Sequence, residues 1–125
     1  MSYSPEFHPR MHARQKLLFP DPEPIAERLG PEFFRSVPSS PGVYLLLSAS
    51  RGVLYVGEAR NLRQRLRYYR RANPDRMPRR HLRLLHAVAQ VELRPSPDEA
   101  SALREEAALI LSLRPPFNRA GTWRP

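Results

Sequence analysis

The sequence predicts a small α/β (α+β) domain in which one three-stranded sheet is flanked by helices in the order ββααβα. An apolar, β-branched run with a short polar break indicates a β-hairpin, and three later segments repeat apolar residues at helical spacing. At 125 residues the chain has room for one compact domain and a tail. A single small sheet covered by helices is the architecture these elements favour.

The elements occupy the middle and end of the chain. Four segments are predicted: a flexible, proline-rich tail at 1–22, a short helical lead-in at 23–37, the domain itself at 38–120, and a C-terminal tail at 121–125. Within the lead-in, "PIAERLGPEFFRSVP" predicts one or two short helices. We expect Phe33 and Phe34 to pack on the main body of the domain.

The hairpin comes from "SSPGVYLLLSASRGVLYVG", which predicts strands near 43–48 and 53–56 around the polar "SASRG". A third strand is predicted at "QVELRPS". Successive side chains of a strand point to opposite faces. The first strand therefore divides into two sets, with Tyr44 and Leu46 on one face and Val43, Leu45 and Leu47 on the other.

Three helices follow from spacing and caps. "NLRQRLRYYRR" places apolar residues at i, i+4 and i+7, and Asn61 and Gln64 have the spacing of a capping pair. "DRMPRRHLRLLHAVA" predicts the second helix, after a break at an Asn-Pro pair. The third is predicted to start with Ser96 as its cap and Pro97 at its first position, and to end near Arg114 before two prolines.

Charge indicates the class of partner. The chain carries a net charge of +9, and between residues 58 and 83 ten arginines stand against two acidic residues. Such a patch suits a polyphosphate, since neutralised phosphates release counterions. An arginine-rich but merely solvated surface, or a basic face for acidic lipid, are the alternatives.

The chain has no cysteine, which excludes disulfides, cysteine-based zinc sites and thiol nucleophiles. With no secretory leader and no membrane-length apolar run, we expect a cytoplasmic protein.

Two charged residues lie at the margin of predicted apolar faces. On the last helix Leu103, Ala107, Ile110 and Leu111 form an apolar stripe, which Glu106 flanks at about 60° from Leu103 while Glu105 points away into water. A carboxylate beside a core is costly unless it is paired or binds a cation. Arg65 flanks the apolar face of the first long helix in the same way, and could hold a phosphate or pair with Glu106.

The two histidines of the second helix give no metal site. His81 and His86 are five residues apart, which places them on different helical faces. Phosphate contact or plain surface exposure is the interpretation of both.

The motifs together resemble one family. "GVY" at 42–44 and "YVG" at 55–57 are followed by an arginine eight residues past the second glycine, by a helix containing "EAALI", and by "RPPFN". This series closely resembles GIY-YIG nuclease domains over roughly residues 38–120. Within that family it is most similar to the N-terminal nuclease domain found in bacterial excinuclease ABC and to the short standalone relatives of that domain.

The resemblance implies roles for particular residues. Tyr44, Tyr55, Arg65 and Glu106 match the catalytic set, and Glu106 matches the ligand of one divalent cation, Mg²⁺ or Mn²⁺. Tyr69 and Asn118 match supporting positions. Where excinuclease-type domains usually carry a lysine, this chain has Glu58, and Arg60 is the residue that could supply the missing charge. The surface arginines expected to contact the nucleic-acid backbone are Arg63, Arg67, Arg70, Arg71, Arg79 and Arg80.

The implied activity is metal-dependent hydrolysis of a phosphodiester in DNA, of the nicking type, in DNA repair. A damage-recognition or recruiting protein is the expected partner, with neither a membrane nor a nucleotide cofactor involved. One alternative is a nucleic-acid-binding module that keeps the fold without turnover. Another is a nuclease of different purpose, such as mobile-element, restriction or branched-DNA cleavage.

Overall fold

The computed structural model describes residues 21–118, so most of the predicted N-terminal tail and all of the C-terminal tail lie outside the described residues. The helices are α1 (Pro24–Leu29), α2 (Phe33–Ser36), α3 (Leu62–Tyr68), α4 (Arg79–Ala87) and α5 (Glu99–Leu113). The strands are β1 (Gly42–Leu47), β2 (Val53–Ala59) and β3 (Gln90–Pro95), and a 3₁₀ turn at Pro116–Asn118 follows α5. The order ββααβα after a two-helix lead-in confirms the predicted fold class. No helix among these residues is long and apolar enough to cross a membrane.

The three strands form one antiparallel sheet in the order β2-β1-β3. The central strand β1 is buried along its whole length, as expected of a strand paired on both sides and covered on both faces. Tyr44 lies opposite Gly57 and Leu46 lies opposite Tyr55 across the β1–β2 ladder. The second strand extends to Ala59, three residues beyond the predicted end, so the whole "YVG" signature belongs to an edge strand.

The sheet separates two apolar clusters, as the alternation in β1 predicts. On one face Tyr44 and Leu46 pack with Tyr55 and with buried residues of α1 to α4, and Phe34 of the lead-in joins them. On the other face Val43, Leu45, Leu47 and Val56 pack against α5 through Ala102. The first cluster is much larger, and it holds all the aromatic residues that concern the site.

The helix starts follow local capping chemistry. The Asn61 side chain accepts a hydrogen bond from the Gln64 backbone N–H at 3.0 Å, which confirms the predicted cap of α3. The start predicted for α5 is two residues too early. Asp98 is the cap, because its carboxylate accepts from the Ser101 N–H at 2.7 Å. That bond lowers the pKa of Asp98.

The predicted orientation of α5 is wrong. Leu103 and Leu111 belong to the predicted buried stripe but are 47% and 73% exposed, whereas Ala102 is fully buried. The side of the helix that meets the sheet carries Ala102, with Leu109 and Ile110 packed beside it. Glu105, expected to point into water, is partly buried and forms an ion pair with Arg94 of β3, N to O 3.2 Å.

Candidate active site

Three tyrosines meet on the helix-rich face of the sheet. The hydroxyl oxygens of Tyr44 and Tyr69 are 3.1 Å apart, and the ring centroids of Tyr44 and Tyr55 are 6.1 Å apart. Each of the three is at most 3% exposed. The two signature tyrosines therefore point to the same face of the sheet, where Tyr69, the residue that caps the end of α3, contacts Tyr44.

Glycine at position 57 makes room for this cluster. The Tyr44 ring lies across its strand partner so closely that a Cβ built on Gly57 would be 2.3 Å from both Cζ and the hydroxyl oxygen of Tyr44. Gly42 is constrained in a similar way, since a Cβ there would be 2.6 Å from the Arg94 carbonyl oxygen. The glycines of both signatures thus serve close approach by neighbouring atoms.

Arg65 is the cation of the cluster. Its Nε donates to the Tyr44 hydroxyl at 3.3 Å, and its guanidinium carbon lies 5.4 Å and 5.7 Å from the ring centroids of Tyr68 and Tyr69. These distances are within the range of cation–π attraction. The side chain is therefore fixed from several sides while it remains partly exposed, which suits a group that must present a fixed fork to an anion.

The phenols are neutral in this environment. Burial raises the pKa of Tyr44, Tyr55 and Tyr69 above the ordinary value of 10, and the positive charge of Arg65 opposes the rise in each case. The negative charge of Glu106 adds to the rise at Tyr55. A phenol here can accept a proton from water only if further positive charge offsets burial.

Glu106 belongs to α5, which packs on the opposite face of the sheet. Its negative charge nevertheless acts on Tyr55, whose pKa it raises. Glu106 is half-buried.

The donor chemistry fits magnesium or manganese better than zinc. Among the described residues no three His, Cys, Asp or Glu side chains cluster as a ligand set. Zinc requires three or four protein ligands. Magnesium is commonly bound by one or two carboxylates, with water and substrate phosphate oxygens completing the shell. A single half-buried carboxylate such as Glu106 suits magnesium better than zinc.

A groove of about 510 Å³ opens beside Arg65, and Tyr68 and Glu58 also line it. Burial raises the pKa of Glu58, and the Glu99 charge adds to the rise while Arg65 and Arg60 oppose it. Arg60 is 81% exposed and pairs with Glu99 at 3.6 Å. The groove thus carries two carboxylates beside its two guanidiniums, so Arg60 compensates only in part for the acidic Glu58.

Asn118 anchors the end of the fold to the edge of β2. Its side-chain oxygen accepts from the Val56 N–H at 2.7 Å, and its side-chain nitrogen donates to the Val56 carbonyl at 2.9 Å. Val56 adjoins Tyr55, so the amide fixes the backbone that carries one of the signature phenols. Asn118 therefore ends a turn and also binds the strand backbone, and its role as an organiser of the site stays a prediction.

The arginines expected to bind the backbone of nucleic acid have different environments. Arg63 donates to the carbonyls of Val37 and Arg35 and so holds α3 to the lead-in. Arg70 and Arg71 pair with Glu23, at 3.0 Å and 3.6 Å. The remaining members of the predicted set are the exposed Arg67 and Arg79 and the partly exposed Arg80.

A second, larger opening adjoins the groove. It encloses about 920 Å³, and Tyr68 borders both spaces. Its other lining residues include four arginines: Arg67, Arg70, Arg71 and Arg76. Four arginines are thus grouped at an opening that shares Tyr68 with the groove beside Arg65.

Sequence reasoning missed Tyr68 and misplaced His81. The imidazole is 2% exposed, and its Nδ1 lies 2.8 Å from the Tyr68 hydroxyl, so it is neither a surface group nor a phosphate contact. The signal was available, because Leu84 and Leu85 follow His81 at i+3 and i+4 and mark the buried face of α4. His86 is exposed, as one of the two sequence interpretations held.

The fold and the site define a class: a phenol cluster, an arginine and a nearby carboxylate on a small three-stranded sheet, the arrangement of a GIY-YIG endonuclease domain. Residues 40–119 match the model of the UvrC-like GIY-YIG domain. The chain belongs to that family.

Individual relatives and solved structures agree with this assignment. The chain is 48% identical over 84 residues to UvrABC system protein C of Nitrobacter winogradskyi, a match that covers 67% of this chain and 12% of that protein. It is 40% identical over 108 residues to the protein of the same name from Rhodopseudomonas palustris, covering 79% and 15%. The chain thus spans about an eighth of the length of the curated relatives it matches.

Among solved structures, the N-terminal GIY-YIG endonuclease domain of UvrC from Thermotoga maritima, bound to its catalytic divalent cation magnesium, matches with a TM-score of 0.62 and 30% identity. The match covers 70% of this chain and 93% of that one. Variants of the same domain with a tyrosine changed to phenylalanine, or an asparagine to alanine, are also bound to the catalytic divalent cation.

Proposed function

We propose that this chain is a metal-dependent DNA endonuclease that nicks one strand in the course of DNA repair, leaving 5′-phosphate and 3′-hydroxyl ends. The observation that carries the proposal is the convergence of Arg65 with Tyr44, Tyr55 and Tyr69 on one face of the sheet, with Glu106 acting on Tyr55. Phosphodiesters hydrolyse extremely slowly unaided. A site for their cleavage needs a fixed cation, a proton acceptor and a metal ligand, and these residues supply candidates for all three.

Glu106 is the proposed ligand of one Mg²⁺ or Mn²⁺ ion. When bound, such an ion stabilises charge on a phosphate oxygen and on the leaving oxygen. The Thermotoga maritima domain that matches this fold binds magnesium as its catalytic divalent cation, which supports the assignment.

Arg65 is the proposed phosphate-binding group. Because its Nε is engaged by Tyr44 and its guanidinium plane is bounded by two rings, its position is set before the substrate arrives. Preorganised donors of this kind stabilise developing negative charge without reorganising during the reaction.

Tyr55 is the proposed proton acceptor for the attacking water. Tyr44 and Tyr55 are both buried, but Tyr55 is the phenol on which the charge of Glu106, the proposed metal ligand, acts, and this favours Tyr55 for the role. Its raised pKa sets a requirement, because phenolate forms only when cationic charge offsets burial. Arg65 already acts in that direction.

The arginines around the larger opening are proposed to bind the sugar–phosphate backbone. Arg67 and Arg79 are exposed, and the exposed Arg71 could exchange Glu23, which lies 3.6 Å away, for phosphate. Arg70 would have to give up a partly buried contact with Glu23 at 3.0 Å. Arg63 is set aside as a structural residue. We propose that a partner protein brings the chain to damaged DNA in the cytoplasm, since the relatives it matches are named as protein C of a UvrABC system.

A comparison of two adjacent glutamates tests the proposal. Purified protein is incubated with supercoiled plasmid and Mg²⁺ or Mn²⁺, using wild type, Glu106→Gln and the matched control Glu105→Gln. We expect Glu106→Gln to lower the nicking rate by on the order of 10²-fold or more, the scale of losing a charge-stabilising group. Glu105→Gln should stay within about threefold, because Glu105 pairs with Arg94 away from the phenols. Equal nicking by wild type and Glu106→Gln would remove the proposed ligand.

One observation favours a second function, a nucleic-acid-binding module without turnover. Glu58 places a carboxylate in the groove beside Arg65, where negative charge opposes a phosphate. Salt-dependent DNA binding by wild type, with no metal-dependent nicking at any pH from about 7 to 10, would decide for this alternative.

A further inference from the structure

Tyr68 and His81 form a hydrogen-bonded pair beside Arg65. The Tyr68 hydroxyl and His81 Nδ1 are 2.8 Å apart, and the two rings are perpendicular with centroids 5.7 Å apart. Tyr68 ends α3 and His81 lies in the first turn of α4, so the bond joins the two helices next to the groove. Tyr68 also lines the groove itself, whereas His81 is 2% exposed.

The pair is uncharged in the folded protein. Burial lowers the pKa of His81, and the positive charge of Arg65 lowers it further. Burial also raises the pKa of Tyr68, which keeps its proton. A neutral imidazole beside a protonated phenol forms a hydrogen bond that does not bring a second positive charge toward Arg65.

Tyr68 in turn bounds the guanidinium. The rings of Tyr68 and Tyr69 meet edge to face at 5.1 Å, and Arg65 lies over both. With Nε donated to Tyr44, three aromatic side chains hold the guanidinium. Only the Tyr68 ring is partly exposed among the three, so it is the one whose orientation depends most on a bond at its far end.

We propose that Tyr68 and His81 are positioning residues that fix the Arg65 guanidinium for the scissile phosphate, an inference that rests on the proposed function. Without the His81 bond, the Tyr68 ring can swing toward the groove or the larger opening, and Arg65 loses one of its supporting faces. If a phosphate-binding group is displaced by a fraction of an ångström or more, it still binds the substrate. It stabilises the transition state less well, however.

The test uses two substitutions that each remove the hydrogen bond between Tyr68 and His81, and a third that restores a polar group. Tyr68→Phe removes one oxygen and keeps the ring, His81→Leu removes the hydrogen-bonding partner, and His81→Asn returns a polar atom near the position of Nδ1. The matched control is His86→Leu, on the exposed side of the same helix. For each protein we would measure kcat and KM of metal-dependent nicking, and the Arg65 Nε–Hε NMR signal of the metal-free protein.

We expect Tyr68→Phe and His81→Leu each to lower kcat about tenfold with KM within about twofold. Their combination should be no worse than either alone, because they remove the same interaction. Both should move the Arg65 signal, His81→Asn should restore most of kcat and signal, and His86→Leu should change neither. The positioning role is wrong if the Arg65 signal does not move in His81→Leu. It is also wrong if His81→Asn restores neither kcat nor the Arg65 signal relative to His81→Leu. If the wild-type protein does not nick DNA, the proposed function is wrong. The Arg65 NMR signal then still tests whether Tyr68 and His81 position the guanidinium.

Discussion

Replacing Gly57 by alanine tests the packing on which the site depends. The added methyl group would lie 2.3 Å from Cζ and from the hydroxyl oxygen of Tyr44, about 1 Å or more inside ordinary contact. The phenol must move, yet Tyr44 is fully buried and its hydroxyl lies at 3.1 Å from that of Tyr69 and at 3.3 Å from Nε of Arg65. The substitution therefore combines overpacking with loss of hydrogen bonding.

The cost follows from these two effects. Overpacking a core typically costs about 1–3 kcal/mol. A weakened hydrogen bond adds about 0.5–1.5 kcal/mol, and two such bonds are strained here. We expect a loss of about 3 kcal/mol in the free energy of unfolding, which for a domain of this size lowers Tm by at least about 10 °C. Nicking should fall as well, by about tenfold or more, because Arg65 loses its Tyr44 contact.

Urea and thermal unfolding followed by circular dichroism measure the first effect. Gly52→Ala is the matched control, because its Cβ would be 3.5 Å from the Ser48 hydroxyl, an ordinary contact. Gly57→Ala should cost less than about 1 kcal/mol in a Tyr44→Leu background, where the clashing atoms are absent. The reasoning is refuted if Gly57→Ala unfolds within about 0.5 kcal/mol of Gly52→Ala, the usual scatter between independent sites, or if the Tyr44→Leu background brings no relief.

Three further predictions concern other parts of the site. Asn118→Ala loses both bonds to the Val56 backbone and should lower the free energy of unfolding in urea by about 1–3 kcal/mol; a change under about 0.5 kcal/mol would contradict the anchoring role. Glu58→Lys changes the groove charge by two, so DNA binding measured by anisotropy should tighten about three- to tenfold at low salt with a steeper salt dependence, and unchanged binding would place the phosphate elsewhere. Because the folded pKa of His81 is lowered below its usual 6.5, its stabilising contribution is present above that pH and is lost as the pH falls, by at most about 1.4 kcal/mol per pH unit. Urea unfolding between about pH 5 and 8 should show a flatter curve for His81→Asn, and parallel curves would exclude the histidine as the titrating group.

The elements set by local rules were predictable from the sequence. Period-two alternation assigned Tyr44 to the correct face of the sheet, and the Asn61 cap set the start of α3. The position of Arg65 at the margin of its helix also followed from spacing alone. These features depend on chain geometry and on neighbours within one turn or one strand.

Features decided by tertiary contacts were not predictable. The apolar residues of α5 lie around too much of the helix for their spacing to indicate which side is buried. In the structure Ala102 is buried against the sheet, whereas Leu103 is 47% exposed. The Tyr68–His81 bond joins two helices across a break in the chain, so no local pattern contains it. The clearance at Gly57 is likewise a property of two strands in register.

The Asn118 side chain also affects whether the free edge of the sheet can pair with strands of other molecules. By pairing with both polar groups of Val56, it imitates one residue of a fourth strand and occupies the outer rim of the sheet at that point. Unpaired rims invite strands from other molecules and so lead to aggregation. The same amide ties the segment after α5 to the backbone next to Tyr55. A displacement of that segment would therefore move the backbone beside a phenol of the site.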